Sequence, residues 1–429
     1  MVNNMLVEYT KSTENIVKAV EIVKNKYYCV RCGNNDQSEF FIDDFGIYCR
    51  KCLNFGKSST YQKIWRKEIK IIFNESYCLK KVVNLSNIQK IASNKCLESF
   101  KNKRDMLLYA VCGAGKTEVV YEVILRALNL GNIVCFATPR KDVVLELVPR
   151  FKRDFFQVSI VALYGGSPDK GKVGNLYVTT THQLINYYQF FDLVIIDEVD
   201  AFPYYNNKML AGFIKKAKKE QAPIIYLTAT PPKYYTNLIR RKKIDHFIIP
   251  NRFHNHPLPI PKIVLTYSTA KKILKGNCPK KILLWLLKKQ QLSKRVFIFV
   301  PKIEIGIALE KILTKYIKCR FVYAEMKERT QIINMFRNNK IQYIITTTIL
   351  ERGVTVPNVD VCIINCDDQI FDERAIVQIV GRAGRHPKYP FSDVVLFCDY
   401  FTLEIKNAVK QIKKMNKIAK GNKNEMYNM

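Results

Sequence analysis

The stretch MLLYAVCGAGKTE at 106–118 joins an apolar run to a turn of small residues and the start of a helical pattern. Its first part predicts a buried strand, because runs that are apolar on both faces are typical of parallel sheets. Its second part matches the phosphate-binding P-loop, in which backbone N–H groups, a helix start and a lysine surround phosphate oxygens. Lys116 is then the cation for the β and γ phosphates, and Thr117 offers a hydroxyl to Mg²⁺. A chance glycine turn before a helix is the alternative interpretation.

One position departs from the usual P-loop pattern, since Ala110 stands where a glycine is expected. Alanine disfavours φ > 0, so the backbone there is predicted to be extended. An extended residue is compatible with the junction of a strand and a loop, and the change removes no group that would contact phosphate.

Similar apolar runs recur along the chain after this point, and segments of helical length separate them. This alternation is typical of βα units with buried parallel sheets. It is interrupted at 250–262 (PNRFHNHPLPIPK), where the prolines cannot continue a helix or a central strand. The sequence therefore predicts an α/β fold with two parallel-sheet lobes. The predicted strands are 106–111, 133–137, 193–196, 224–227, 296–300, 343–346, 361–364 and 394–397.

Two acidic residues, Asp197 and Glu198, end the apolar run 193–196. Open α/β sheets bind their ligands at the carboxyl ends of their strands. Asp197 is therefore predicted to hold Mg²⁺, and Glu198 to orient or deprotonate the attacking water. A strand that ends in exposed acids is the alternative, and the position of the pair downstream of a P-loop argues against it.

The segment QIVGRAGR at 378–385 places Arg382 and Arg385 three residues apart. On a helix this spacing lets both side chains point the same way. We predict an arginine finger pair that reaches from the second lobe to the γ-phosphate held by the first. Solvated side chains, or contacts with the phosphates of a nucleic acid, are the alternatives.

Cys29, Cys32, Cys49 and Cys52 form two C-x2-C pairs at the spacing of a four-thiolate zinc site. Two tight turns with two thiolates each can close a tetrahedron around one ion. Buried free thiols or a redox pair are the alternatives. The other nine of the 13 cysteines are scattered, several of them in apolar runs, and are predicted to be small buried side chains.

The chain is strongly basic, with 70 lysines and arginines, 37 acids and a net charge of +33 over 429 residues. Such a charge attracts polyanions, nucleic acid foremost, whereas an anionic membrane surface and a compositional bias toward lysine are the alternatives. No apolar run reaches the ~18 residues of a membrane-spanning helix, and the N-terminus lacks the pattern of a signal peptide. The sequence predicts a cytoplasmic protein.

The order of the motifs resembles the superfamily 2 helicases and translocases. After the P-loop come DEVD at 197–200, TAT at 228–230, TTTILERG at 346–353 and QIVGRAGR at 378–385. With its N-terminal four-cysteine region, the chain is most similar to the late competence ATPases, which help draw transforming single-stranded DNA into Gram-positive cells. The resemblance implies a DNA-stimulated ATP hydrolase that translocates on single-stranded DNA, with ATP, Mg²⁺ and Zn²⁺ as cofactors.

The resemblance also implies roles for individual residues. The expected catalytic residues are Lys116, Asp197, Glu198, Gln378, Arg382 and Arg385. The expected nucleotide-binding residues are Gln89, Gly113, Ala114, Gly115, Lys116, Thr117, Glu118 and Gly353. Arg140, Thr180 and Thr347 are expected to contact DNA, Thr117 and Asp197 to hold magnesium, and the four clustered cysteines to hold zinc.

We expect four parts along the chain. They are an N-terminal region at 1–75 with the zinc finger at 29–52, a first RecA-like ATP-binding lobe at 76–250, a second RecA-like helicase C-terminal lobe at 251–405, and a lysine-rich tail at 406–429 that forms an amphipathic helix.

The expected partners are single-stranded DNA and, by resemblance, other competence proteins. A ComFC-like partner and a membrane DNA channel are among them, and they would bring the protein to the inner face of the membrane. Two rival functions remain open at this point. One is a duplex-unwinding DNA helicase of the replication-restart type, and the other is a nucleic-acid-binding adaptor that has lost ATP hydrolysis.

Overall fold

The computed structural model describes residues 5–74, 76–80, 83–348 and 356–421. Within these ranges the chain forms two compact units. The first contains residues up to 109 together with 116–247, and the second contains 110–115 together with the residues from 248 onward. Each unit is built on its own parallel sheet.

The N-terminal region consists of short strands and hairpins. Its strands are β1 (Met5–Thr10), β2 (Asn15–Lys18), β3 (Val20–Val23), β4 (Lys26–Cys29), β5 (Phe40–Asp43), β6 (Gly46–Cys49) and β7 (Lys63–Glu68). β1, β7 and β2 form a three-stranded sheet in that order, whereas β3 with β4 and β5 with β6 form two antiparallel hairpins. Each hairpin ends at a cysteine, Cys29 or Cys49. The two C-x2-C pairs therefore begin at equivalent positions, the last residue of each hairpin.

The first lobe contains a seven-stranded sheet in the order β12-β13-β10-β14-β15-β9-β16, and the pairings from β12 to β9 are all parallel. A two-stranded antiparallel pair, β8 with β11, lies beside it. The elements are β8 (Cys78–Leu79), α1 (Asn87–Lys101), β9 (Met106–Ala110), α2 (Lys116–Val119), α3 (Tyr121–Asn129), β10 (Val134–Thr138), α4 (Lys141–Asp154), β11 (Phe155–Phe156), β12 (Ile160–Leu163), β13 (Leu176–Thr180), β14 (Leu193–Ile196), α5 (Lys208–Ala217), β15 (Ile224–Thr228), α6 (Lys233–Arg240) and β16 (Asp245–Ile249).

The N-terminal region and the first lobe share one hydrophobic core. Cys29 and Cys52 belong to the same buried cluster as Val194 and Ile196 of β14 and Phe213 of α5. The four-cysteine region is therefore packed on the first lobe and is not an appendage on a free linker.

The second lobe contains a six-stranded sheet in the order β17-β22-β21-β18-β20-β19, with all five pairings parallel. The elements are β17 (Lys262–Leu265), α7 (Thr269–Leu274), α8 (Lys280–Gln291), β18 (Arg295–Phe299), α9 (Ile303–Leu313), β19 (Cys319–Val322), α10 (Arg329–Arg337), β20 (Tyr343–Thr346), β21 (Val359–Ile364), α11 (Glu373–Val380), β22 (Val394–Cys398) and α12 (Leu403–Gly421). The predicted fold class, two parallel-sheet lobes after a four-cysteine region, is confirmed.

The lysine-rich end of the chain forms α12 as far as Gly421, and one face of this helix is buried. Ile405, Ile412 and Met415 lie on that face. The Asn416 side chain bonds both backbone groups of Leu258, at 2.8 Å each, so α12 fastens the segment that precedes β17.

Within the part of the chain that the structure describes, no helix is both long enough and apolar enough to cross a lipid bilayer.

Candidate active site and metal centre

The phosphate loop follows β9 and ends where α2 begins at Lys116. Gly113 and Gly115 have φ values of 82° and 72°, a backbone conformation that residues with a side chain rarely adopt. Ala110 is the last residue of β9, so its backbone is extended, as the absence of glycine predicted. Successive left-handed and right-handed residues turn N–H groups into a concave anion-binding surface. The loop therefore fits a nucleotide phosphate.

The two acids lie at the carboxyl edge of the same sheet, directly after β14. The Asp197 N–H donates to the carbonyl of Ala137 at 2.8 Å, and the Glu198 N–H donates to Asp197 Oδ1 at 2.9 Å. Burial raises the pKa of Asp197 to about 7, and the Glu198 carboxylate acts in the same direction, whereas Lys116 opposes both. A buried carboxylate of this kind is stabilised in its charged form by a cation, so the position of Asp197 fits a divalent ion such as Mg²⁺.

Asp200 ties the acidic motif to the TAT motif at the end of β15. Its Oδ1 accepts from Thr228 Oγ1 and its Oδ2 from Thr230 Oγ1, both at 2.6 Å. All three side chains are buried. No role for Asp200 was predicted from the sequence, although both motifs were recognised. The signal that could have indicated one is an acid and two hydroxyls at the ends of neighbouring strands.

Within the second unit, loop residue Cys112 touches the QIVGRAGR segment. Its Sγ donates to Gln378 Oε1 at 3.0 Å. A Cβ atom on Gly381 would lie only 2.4 Å from the Cβ of Cys112, so a larger residue at 381 would collide with the loop. The structure thus brings Gln378 to the phosphate loop.

The helical arrangement predicted for the two arginines is wrong. α11 ends at Val380, before either arginine, and Gly384 has a φ of 65°, which a helix cannot contain. Arg382 is buried, with 3% of its surface exposed, whereas Arg385 is half-buried and donates from Nε to the carbonyl of Gly381 at 3.2 Å. The two side chains therefore occupy different environments.

Arg252, which is 1% exposed, was not predicted as a site residue from the sequence. Its guanidinium donates to the carbonyls of Gly384 at 2.6 Å and Gly381 at 3.4 Å, and its stem lies against Gly113. Burial, together with the charge of Arg385, lowers the pKa of Arg252 to about 10. From the sequence, the proline-rich segment that contains Arg252 marked only the break between the two predicted lobes, yet this arginine binds the glycine turn next to the phosphate loop.

Two of the expected nucleotide-binding residues have structural partners in the first unit. Gln89 forms a capping box with Ser86 at the start of α1, in which Gln89 Oε1 accepts from the Ser86 N–H at 2.8 Å. Glu118 forms an ion pair with Arg150. Gly353, also expected to bind nucleotide, lies outside the described residues.

The expected DNA-contact residues follow the ends of strands. In the first lobe, Thr180 ends β13 and pairs with Thr138 of β10, and Arg140 comes two residues after Thr138. The register therefore puts Arg140 and Thr180 at one edge of the sheet. Thr347 follows β20 in the second lobe and is half-buried.

The four clustered cysteines converge in the N-terminal region, and all four are buried. The Sγ atoms of Cys29 and Cys52 are 3.7 Å apart, those of Cys32 and Cys49 are 3.6 Å apart, and all four lie within 4.8 Å of one another. Thiolates about 2.3 Å from a tetrahedral zinc ion would be about 3.8 Å apart. The site fits zinc.

The protonation of these thiols is consistent with a metal site. Hydrogen bonds from Cys32, Cys49 and Cys52 hold the pKa of Cys29 well below its usual range. Hydrogen bonds with Cys29 in turn raise the pKa values of Cys32 and Cys52. One thiol of the cluster therefore loses its proton readily while two of its neighbours keep theirs, and a bound cation would supply the positive charge that four thiolates need.

Solved structures match the two-lobe fold. S. cerevisiae Dbp5 bound to RNA and ADP BeF3 is similar with a TM-score of 0.57 at 16% identity, over 77% of this chain and 88% of that one. Mycobacterium smegmatis helicase Lhr bound to ssDNA and AMP-PNP is similar with a TM-score of 0.55 at 14% identity, over 77% of this chain and 50% of that one. At such identities the likeness concerns the fold alone.

Two family matches agree with the motifs. Residues 86–238 match the DEAD/DEAH box helicase family, and residues 278–387 match the helicase conserved C-terminal domain. Together with the phosphate loop and the acids at the sheet edge, these matches define an ATP-hydrolysing enzyme of the helicase and translocase class, for which ATP and Mg²⁺ are the implied cofactors.

The N-terminal region narrows the class to one family, because residues 2–66 match the competence protein ComFA N-terminal domain. Competence protein ComFA of Bacillus subtilis (strain 168) is 41% identical over 411 residues, which are 94% of this chain and 88% of the relative. Competence protein ComFA of Streptococcus pneumoniae (strain ATCC BAA-255 / R6) is 35% identical over 419 residues, 97% and 96% of the two chains. The chain belongs to the ComFA family, and it is a competence-related ATPase of the DNA helicase class.

Proposed function

We propose that this chain is an ATP-dependent translocase on single-stranded DNA that drives the import of transforming DNA during natural competence. The observation that carries the proposal is the set of groups at the carboxyl edge of the first sheet, found in a chain of the ComFA family. A phosphate loop, a buried Asp197 and the neighbouring Glu198 are what ATP hydrolysis requires.

In this proposal Lys116 binds the β and γ phosphates and Glu198 orients the attacking water. Thr117 and Asp197 hold Mg²⁺, which when bound neutralises charge on the phosphate oxygens. The charge that develops on the phosphate in the transition state is stabilised by Gln378, Arg382 and Arg385. The close contact of Cys112 with Gln378 supports a role for that glutamine at the nucleotide.

We assign zinc to the four clustered cysteines, with a structural role. All four ligand positions are filled by buried sulfur atoms, so the ion has no position for water or substrate. Zinc would then fix the N-terminal region on the first lobe and take no part in hydrolysis.

The strand is proposed to be held through its phosphates by Arg140, Thr180 and Thr347. Backbone contacts suit a motor that accepts any sequence. By family resemblance, other competence proteins, including a ComFC-like partner and a membrane DNA channel, are proposed to recruit the motor to the membrane.

Phosphate release, measured with and without single-stranded DNA, tests the proposal. A translocase hydrolyses ATP faster when the strand is present, whereas an adaptor without hydrolysis releases none. Displacement of streptavidin from a biotinylated single strand, beside displacement of one strand from a duplex, separates a translocase from a duplex-unwinding helicase. Duplex unwinding at a comparable rate would favour the helicase instead.

Salt dependence tests the use of the +33 charge. For a strand held through roughly four to six phosphates, log K falls against log salt with a slope of about −3 to −4. Titration of labelled oligonucleotides of two unrelated sequences measures it. A flat salt dependence, or a marked preference for one sequence, would contradict backbone binding.

A further inference from the structure

A groove of about 470 Å³ lies in the first unit, where the N-terminal region meets the first lobe. It falls within the size range of small-molecule sites. The N-terminal region contributes Val7, Tyr9, Arg31, Asn54 and Phe55. The first lobe contributes Lys170 and the 3-10 turn at Thr181–Asn186 among others. We call this space the seam groove.

The aromatic wall of the seam groove is held in place from several directions. The Phe55 ring stacks on the His182 ring, with the ring centroids 5.8 Å apart. It packs edge-on against the Phe213 ring, with the centroids 5.5 Å apart. Arg31 donates to the carbonyls of Phe55 and Gly56, at 2.8 Å each. Phe55 also ends the 3-10 helix at Arg50–Phe55, which contains Cys52, so the four-cysteine centre sets its position.

A buried cation locks the two sides of the groove together. Lys216 Nζ donates to Glu8 Oε1 at 2.5 Å, to the carbonyl of Arg31 at 2.7 Å and to the carbonyl of Ile185 at 2.8 Å. Arg66 lies 3.3 Å from the same glutamate and covers the Tyr188 ring. The groove is therefore preformed, which lowers the cost of ordering it around a ligand.

The chemistry of the lining favours a nucleotide. It offers aromatic rings from Tyr9, Phe55 and His182, the exposed ammonium of Lys170, and amides. None of the described residues that line it is acidic. Burial lowers the pKa of His182, which favours the neutral form of its ring. Rings beside a cation form the usual binding surface for single-stranded nucleic acid.

We propose that the seam groove binds one nucleotide of single-stranded DNA, with the base packed on Phe55 and Tyr9 and the phosphate held by Lys170. The inference rests on the proposed function, since it extends the strand path from Thr180 into the turn that follows it. Thr180 directly precedes the 3-10 turn that lines the groove, so one strand can reach both places. The N-terminal region would then be part of the DNA track.

Photo-crosslinking and affinity measurements test the seam groove in the full-length protein. An oligothymidylate that carries 5-iododeoxyuridine is irradiated with the protein, and the crosslinked peptide is identified by mass spectrometry. Attachment at Tyr9 or Phe55 supports the proposal. Crosslinks confined to other regions would overturn it.

Variants give a second measurement, the affinity for the oligothymidylate from fluorescence anisotropy. Phe55→Leu keeps an apolar side chain but removes the ring, so affinity should fall about fivefold or more. Phe55→Tyr keeps the ring and should stay within about twofold of the wild type. Lys170→Glu should also weaken binding, and Lys101→Glu, an exposed lysine that does not line the groove, is its matched control.

The outcomes separate this inference from the proposed function. Equal affinity of Phe55→Leu and wild type overturns the seam groove as a DNA site, and so does an equal loss in Lys101→Glu and Lys170→Glu, which would report net charge alone. If the wild-type ATPase responds to single-stranded DNA in either case, the proposed function stands. Absence of that response overturns the proposed function whatever the groove binds.

Discussion

The four-cysteine centre and the proposed magnesium site differ in how much of the ligand set the protein supplies. The centre presents four buried sulfur atoms within 4.8 Å of one another, enough to complete a tetrahedral zinc ion. In the proposed active site, Thr117 at the end of the phosphate loop and Asp197 after β14 would hold magnesium, and nucleotide and water would fill the remaining positions. A complete set predicts a structural ion and an incomplete set a catalytic one.

The largest effect that would test this contrast is loss of the phosphate-binding charge. We expect Lys116→Ala to abolish phosphate release, because its side chain serves as a charge for phosphates and not as part of the core. Zinc content and the thermal unfolding midpoint should stay at wild-type values. Hydrolysis near the wild-type rate would refute the assignment of the loop, and Lys101→Ala serves as a lysine control outside the site.

The next prediction concerns the four-cysteine centre, from which two of the proposed zinc ligands are removed. Cys29→Ala with Cys32→Ala should reduce zinc from one ion per chain to none, because two thiolates cannot hold the ion against water and chelators. Elemental analysis measures the metal. Cys96→Ala, which alters a buried cysteine outside the centre, should keep its zinc. Undiminished zinc in the double variant, or none in the wild type, would contradict the assignment.

Arg385, whose stem lies near Gly113 as that of Arg252 does, should matter less than Lys116 but still strongly. Arg385→Ala is expected to reduce turnover by about 10³ if the guanidinium stabilises the transition state. Arg385→Lys should recover only part of the rate, because an ammonium lacks the planar fork of donors. A variant that loses DNA binding but keeps its basal hydrolysis would show instead that Arg385 contacts the strand.

The smallest expected effect concerns the contact between the N-terminal region and the first lobe. Lys216→Met leaves the fully buried Glu8 with Arg66 alone, which should lower the free energy of unfolding by about 3 kcal/mol. Lys219→Met removes a surface pair with Asp192 and should cost less than about 1 kcal/mol. Urea unfolding of both variants makes the comparison. Equal losses would mean that Lys216 contributes no more than a surface lysine does.

Local patterns predicted most of the strands that are apolar on both faces, with β12 as an exception, because a strand buried in a parallel sheet displays its burial in its own sequence. β10, β14 and β15 of the first lobe and β18 and β21 of the second were all predicted in this way. Shorter or half-exposed strands such as β2 and β17 carry no such run and were not predicted.

Contacts between distant residues left no comparable signal. Lys216 and Glu8 are separated by 208 positions, and nothing in either neighbourhood marks them as partners. The helical spacing of Arg382 and Arg385 misled the prediction for a related reason, because α11 ends at Val380 and Gly384, which lies between the two arginines, has a positive φ that a helix cannot contain. Motif spacing identified the residues expected to carry the chemistry. The side chains that support them could be identified only from the three-dimensional structure.

The clamp of Asp200 on Thr228 and Thr230 has a consequence for how these positions can evolve. Loss of either hydroxyl leaves a buried carboxylate oxygen without its donor, at a cost of about 1–3 kcal/mol, and loss of the acid leaves two hydroxyls stranded. A single substitution at any of the three positions therefore destabilises the protein. Across homologous sequences the three positions should covary as a unit, so that an apolar residue at 228 or 230 accompanies a replaced acid at 200.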